Sequence, residues 1–115
     1  MKHVKLRPEV LRIMGRNYSV RFESDTALGS DNLGTCDNHK CIIAVREGQH
    51  PVEEADTLIH EIMHAVWYCM SISEGGAGEE AVVRRMASGF TSVLMDNPDL
   101  LKYVQAVQHP NYVLV

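Results

Sequence analysis

Apolar positions cluster early in the chain in two short runs, Val10 to Met14 and Tyr18 to Phe22, with Gly15-Arg16-Asn17 between them. Apolar runs of this length around a Gly- and Asn-containing break predict a β-hairpin, with Gly15 and Asn17 free to take positive φ. The stretch from Ser24 to His39 is polar and rich in Gly, Asp and Asn, which predicts a loop. Cys41 to Arg46 reads as a third strand, closed by Gly48-Gln49-His50-Pro51. From Val52 to Met70 the spacing becomes helical, with Glu53, Glu54 and Asp56 in the first turns, where the helix dipole favours acids. Ile59, Met63, Val66 and Met70 fall on one side of this helix and Leu58, Ile62, Ala65 and Cys69 on another. A helix apolar on two sides is packed on two sides and lies centrally.

Ser71 to Gly78 breaks the pattern, and a second helix is predicted from about Glu79 to Met95, with Val82, Val83, Met86, Ala87, Phe90, Val93 and Leu94 on one face. Asn97-Pro98 stops it, and Asp99 to Val107 predicts a last short helix. Strands first and helices after make an α+β arrangement: a small twisted sheet of about three strands on two main helices, in a single domain over residues 1–115.

Composition narrows the setting. A chain of 115 residues with net charge −4, 45% apolar and 23% charged, is an ordinary globular length and mixture. There is no Lys/Arg block, so nucleic acid is not an expected partner. No apolar run reaches the ~18 residues of a membrane span. No apolar segment follows the basic residues Lys2, Lys5 and Arg7, so no signal peptide is expected. Three cysteines are an odd number and argue against a disulfide framework; a reducing cytoplasm is the expected compartment.

His60-Glu61-Ile62-Met63-His64 carries the chemistry. Residues four apart on a helix share a face about 6 Å apart in rise, so two imidazoles can converge on one ion. Glu61 lies roughly 100° round the helix and cannot easily join them as a ligand, but it can reach a water that the ion holds. Zn2+ suits imidazole, and a catalytic zinc keeps three protein ligands and an open position. Glu61 then serves as general base toward a carbonyl. The third ligand must come from the loop or the second helix, where Glu74, Glu79 and Glu80 are the candidates. On a helical wheel Glu79 points near the middle of the apolar face and Glu80 toward its edge, and the wheel alone leaves both open.

The run Thr57 to Ala65, followed by Glu80, Val83, Met86, Ala87, Gly89 and Leu94 to Pro98, resembles small phage and prophage metallopeptidase-like proteins. These stand on the gluzincin side of the HExxH peptidases, near minigluzincins and ImmA/IrrE-type domains. Gly34 to Val45 belongs to the resemblance, which covers roughly residues 10 to 100. It implies a zincin-like core, Glu80 as the third ligand beside His60 and His64, and Cys41 to Arg46 as the edge strand that pairs with an extended peptide. It departs from larger gluzincins in having no second domain with a His or Tyr to steady the oxyanion. Tyr68, His109 and Tyr112 are the candidates in this chain.

Cys36, His39 and Cys41 could be read as a second metal site, but structural zinc wants four ligands, and a turn with free thiols is the simpler reading. Cys69 and Trp67 read as packing residues, and Asp56 as a first-turn acid one turn before His60. The expected function is therefore a zinc metallopeptidase acting on a peptide or protein. The alternative is a catalytically silent, metal-holding interaction module of phage origin, or a metal-independent helical interaction domain. An exposed strand edge could pair with a second copy as a homodimer.

Overall fold

A computed structural model describes residues 2–4, 6–24, 28, 32–70, 78–108 and 112–114, with side chains described for these except 2–4, 79, 80, 83 and 112–114. Strands β1 (Lys2–Val4), β2 (Val10–Ile13), β3 (Arg16–Glu23), β4 (Gly34–Asp37) and β5 (Ile42–Arg46) precede helices α1 (Pro51–Cys69), α2 (Glu79–Asp96) and α3 (Pro98–Ala106), and β6 (Tyr112–Leu114) follows. The architecture is mixed α+β. β1 and β6 form a separate parallel pair, while the main sheet has four strands in the order β2-β3-β5-β4.

The hairpin forms where expected, through a different turn. Ile13 pairs with Arg16, so Met14 and Gly15 alone make the connection. Both have positive φ, 50° and 83°. Two successive positive φ values match the right-handed strand twist. Asn17 instead pairs with Arg12 inside the ladder.

Two expectations about the sheet are corrected. It has four strands rather than about three, because Gly34–Asp37, inside the segment expected to be a loop, pairs antiparallel with β5. Cys41–Arg46 is then not the edge strand. β5 runs parallel to β3 on one side and antiparallel to β4 on the other, which makes β4 the edge. The turn between them is fastened by Asp37, whose Oδ1 accepts the backbone N–H groups of His39 and Lys40, each at 3.0 Å. Those bonds hold the Asp37 carboxyl below its ordinary pKa.

β2 is the opposite edge, and it is covered. Asn97 joins α2 to α3, and its side chain accepts the Arg12 N–H and donates to the Arg12 carbonyl, both at 2.8 Å, as a neighbouring strand would. The same amide donates to Val93 O in the last turn of α2.

Leu58, Ile62, Ala65 and Val66 of α1 are fully buried against Leu11, Ile13, Tyr18, Ile43 and Val45 of the sheet and against Val93, Leu100 and Tyr103 of the other helices. Burying a large aliphatic side chain contributes about 1.5–3 kcal/mol, so this stripe is the main attachment of α1. Glu54 shares the stripe, one turn before Leu58, and is also buried. Its carboxylate is bonded by Arg7 and by the Tyr103 hydroxyl, the latter at 2.9 Å. Three separated segments thus meet at one buried charge, and burial together with that charge raises the Tyr103 pKa.

Helices α1 and α2 touch at Gly89. A Cβ there would lie 2.5 Å from Val66 Cγ1. Gly89→Ala should therefore lower stability by about 1–3 kcal/mol through overpacking, despite the ~1 kcal/mol of helix propensity gained. Urea unfolding of Gly89→Ala, and of Gly89→Ala with Val66→Ala, checks this: the second substitution should recover part of the loss.

Candidate metal centre

The register of α1 decides which way the motif faces. With Leu58, Ile62 and Ala65 turned into the core, His60 and His64 are exposed and Glu61 is buried, only 6% accessible. This is the separation expected from a 100° step along the helix.

The two imidazoles converge. Their Nε2 atoms are 3.2 Å apart, with the rings edge to face at 75° and centroids 4.8 Å apart. Two nitrogen ligands about 2.0–2.1 Å from a tetrahedral zinc stand about 3.3 Å from each other. The pair therefore has the spacing that a shared ion requires. In the metal-free chain the same spacing lets one ring donate an Nε2–H to the other.

Glu61 turns toward β4. A Cβ on Gly34 would lie 2.8 Å from Thr57 Cγ2, 3.1 Å from Ala44 O and 3.1 Å from Glu61 Cγ. Only a residue without a side chain lets the edge strand come this close to the helix. The approach leaves a cleft of about 290 Å³ lined by Leu33, Gly34, Asp56, Thr57, His60 and Glu61. Thr57 is held in place by donating to Gln49 Oε1 at 3.0 Å, and Gln49 in turn donates to Arg46 O at 2.9 Å. Burial raises the Glu61 pKa, and any charge on His60 or His64 lowers it. No hydrogen bond reaches its carboxylate from the described residues, and Glu61 lines the cleft.

The third ligand is not placed. Glu79 and Glu80 both fall in the first turn of α2, with side chains outside the described set, and Glu74 lies outside the described residues. Among the described residues no group of three His, Cys, Asp or Glu is disposed around one point. His109 also lies outside them, and Tyr112 is described only as backbone in β6. Tyr68 lies one turn past His64 and is exposed, with its ring against His39 and with the Arg16 guanidinium 5.6 Å from its centroid.

Cys36, His39 and Cys41 do not gather as ligands. The Cys36 thiol donates to Asn38 Oδ1 at 3.3 Å, and burial, helped by the nearby Glu61 charge, pushes its pKa up to about 12. Cys41 contacts Asn38 O, and Cys69 lies 3.8 Å from the Tyr18 hydroxyl. All three are free thiols built into the packing around Asn38 and Tyr18. Asp56 shares a helix face with His60, but no hydrogen bond joins them among the described residues. Trp67 is exposed rather than buried.

The cleft residues Leu33, Gly34 and Thr57 were not picked out from the sequence as site residues. The available signal was a Gly preceding Thr35-Cys36-Asp37 and followed by a strand, which marks a close backbone approach only once the pairing is known.

Compared with protein families, curated proteins and solved structures, the chain matches none. Among the described residues no helix is long and apolar enough to cross a membrane.

The raised Glu61 pKa makes a stability prediction. The folded chain holds the Glu61 proton more tightly than the unfolded chain, so stability falls as pH rises from the ordinary carboxylate value through the folded one. In chelator, Glu61→Gln should melt higher than wild type at about pH 7 and lose that advantage at about pH 3, where both states are protonated. Thermal unfolding at the two pH values checks this, and an offset independent of pH contradicts it.

Proposed function

We propose that this chain is a zinc-dependent peptidase. The observation that carries the reading is the 3.2 Å convergence of the His60 and His64 Nε2 atoms beside a buried, unbonded Glu61. His60 and His64 would hold the metal, and a carboxylate from the start of α2 would complete the set, Glu80 before Glu79. A zinc ion bound there would supply Lewis acidity toward a carbonyl and toward water. Glu61 accepts the proton of the attacking water and delivers it to the leaving amine. Its raised pKa suits that exchange, because a base held closer to neutrality returns the proton more readily. Both steps need a carboxylate at a fixed place, and the absence of a side chain at position 34, which lets the edge strand lie close to the buried Glu61, supports that.

The substrate is a peptide or protein segment in extended form. β4 is the strand edge next to Glu61, and it has no strand partner beyond β5 among the described residues. Backbone hydrogen bonds along such an edge align a peptide past the site. The same edge supports a second reading, a silent zincin-like module that holds metal and docks a protein. The three free thiols support a reducing compartment, the cytoplasm.

Glu61→Gln separates the two readings. The substituted chain should keep zinc at wild-type stoichiometry and lose about 10²–10⁴ in kcat/KM on a mixed peptide pool, the usual weight of a general base. His60→Ala and His64→Ala should each lose the metal. A zinc-loaded wild type that cleaves nothing in the pool supports the docking module instead.

A further inference from the structure

The cleft beside Glu61 reaches a second carboxylate, Asp56, that the peptidase reading does not use. Its wall carries two carboxylates, Asp56 and Glu61, beside the His60 imidazole, and no Lys or Arg lines it. Asp56 is on the exposed face of α1, one turn before His60, and has no hydrogen bond or ion pair among the described residues. Glu61 is more than nine-tenths buried, likewise unpartnered, and lines the same space. The apolar part of the wall is the Leu33 side chain and the Thr57 methyl, and the floor is open because position 34 has no side chain. A volume of about 290 Å³ is below the usual small-molecule range of roughly 300–1,000 Å³. It suits one long side chain rather than a whole ligand.

We infer that this cleft is a specificity pocket for a basic side chain, Lys or Arg, at a residue flanking the bond to be cut. The inference rests on the peptidase reading for its location and goes beyond it in naming the substrate class. A Lys or Arg stem is aliphatic and packs on Leu33 and Thr57, while its charged end meets Asp56 at the rim. An apolar side chain would desolvate both carboxylates and give nothing back. The pairing with Asp56 lies at the rim and sets preference. Glu61 at the base retains its own task, so Asp56 is the residue to vary.

Two measurements test this. The first is cleavage-site profiling of the zinc-loaded full chain on a synthetic peptide library. Wild type should cut at least tenfold faster where Lys or Arg flanks the bond on one side than where norleucine does. Asp56→Asn should shrink that ratio to below threefold. The second needs no catalysis: amide shifts of the metal-free chain titrated with acetyl-Ala-Lys-Ala-amide and with its norleucine counterpart. The lysine peptide should shift Leu33, Gly34, Asp56 and Thr57, and bind at least fivefold more weakly to Asp56→Asn. Cleavage with no preference for a basic residue overturns this inference and leaves the peptidase reading intact. Absence of cleavage together with selective lysine binding overturns the peptidase reading and leaves the pocket. Equal binding of the two peptides, or no effect of Asp56→Asn, overturns the pocket.

Discussion

Helix α1 is locked in rotation by its buried stripe, and the facing of His60, Glu61 and His64 follows from that lock. Leu58, Ile62, Ala65 and Val66 have no accessible surface left. A turn of the helix by one residue would bring His60 or Glu61 into the sheet and expose several aliphatic side chains, at about 1.5–3 kcal/mol for each. The N-terminal end is held again by Glu54, whose buried charge is met by Arg7 from the chain's start and Tyr103 from α3. Removing one partner of a buried charge is far more damaging than the net worth of the pair, so this contact fixes geometry more than it adds stability. With the rotation set, His60 and His64 face outward together while Glu61 faces β4.

The second determinant is the distance between α1 and the edge strand, and Gly34 sets it. The edge strand lies against Thr57 and Glu61 with no side chain between. That proximity strips water from one side of Glu61, and its pKa rises in consequence. It also shapes the cleft, because a Cβ at position 34 would press on two of its walls. β2, at the other side of the sheet, has its outer edge occupied by the Asn97 amide. On the proposed reading an extended substrate pairs with β4, the edge that adjoins the motif.

What could be read from the sequence was whatever depends on local periodicity. The hairpin, the three helices and the outward pairing of His60 with His64 follow from spacing alone, as does the opposite sense of Glu61. What could not be read depends on contacts between distant segments. Gly34–Asp37 is four residues long, holds a glycine and sits in a polar stretch, so nothing local marks it as a strand; pairing with β5 and packing on Thr57 make it one. The edge role of Cys41–Arg46 came from the resemblance alone, and the pairing of β4 outside β5 displaces it. Glu54 looked like a dipole-favoured acid in a first turn, although its place one turn before Leu58, in line with Ile62, was the clue to its burial. The turn at Met14-Gly15 was displaced by a residue or two because Asn17, a good turn former, is used in the ladder instead.

The central claim is that His60 and His64 share one zinc ion, and anomalous diffraction at the zinc edge from crystals of the full chain tests it most directly. The account predicts one strong peak about 2.0–2.1 Å from both Nε2 atoms, with a carboxylate from the first turn of α2 as the third ligand. A zinc-containing crystal with no peak between the two imidazoles, or with its zinc held elsewhere, would contradict it.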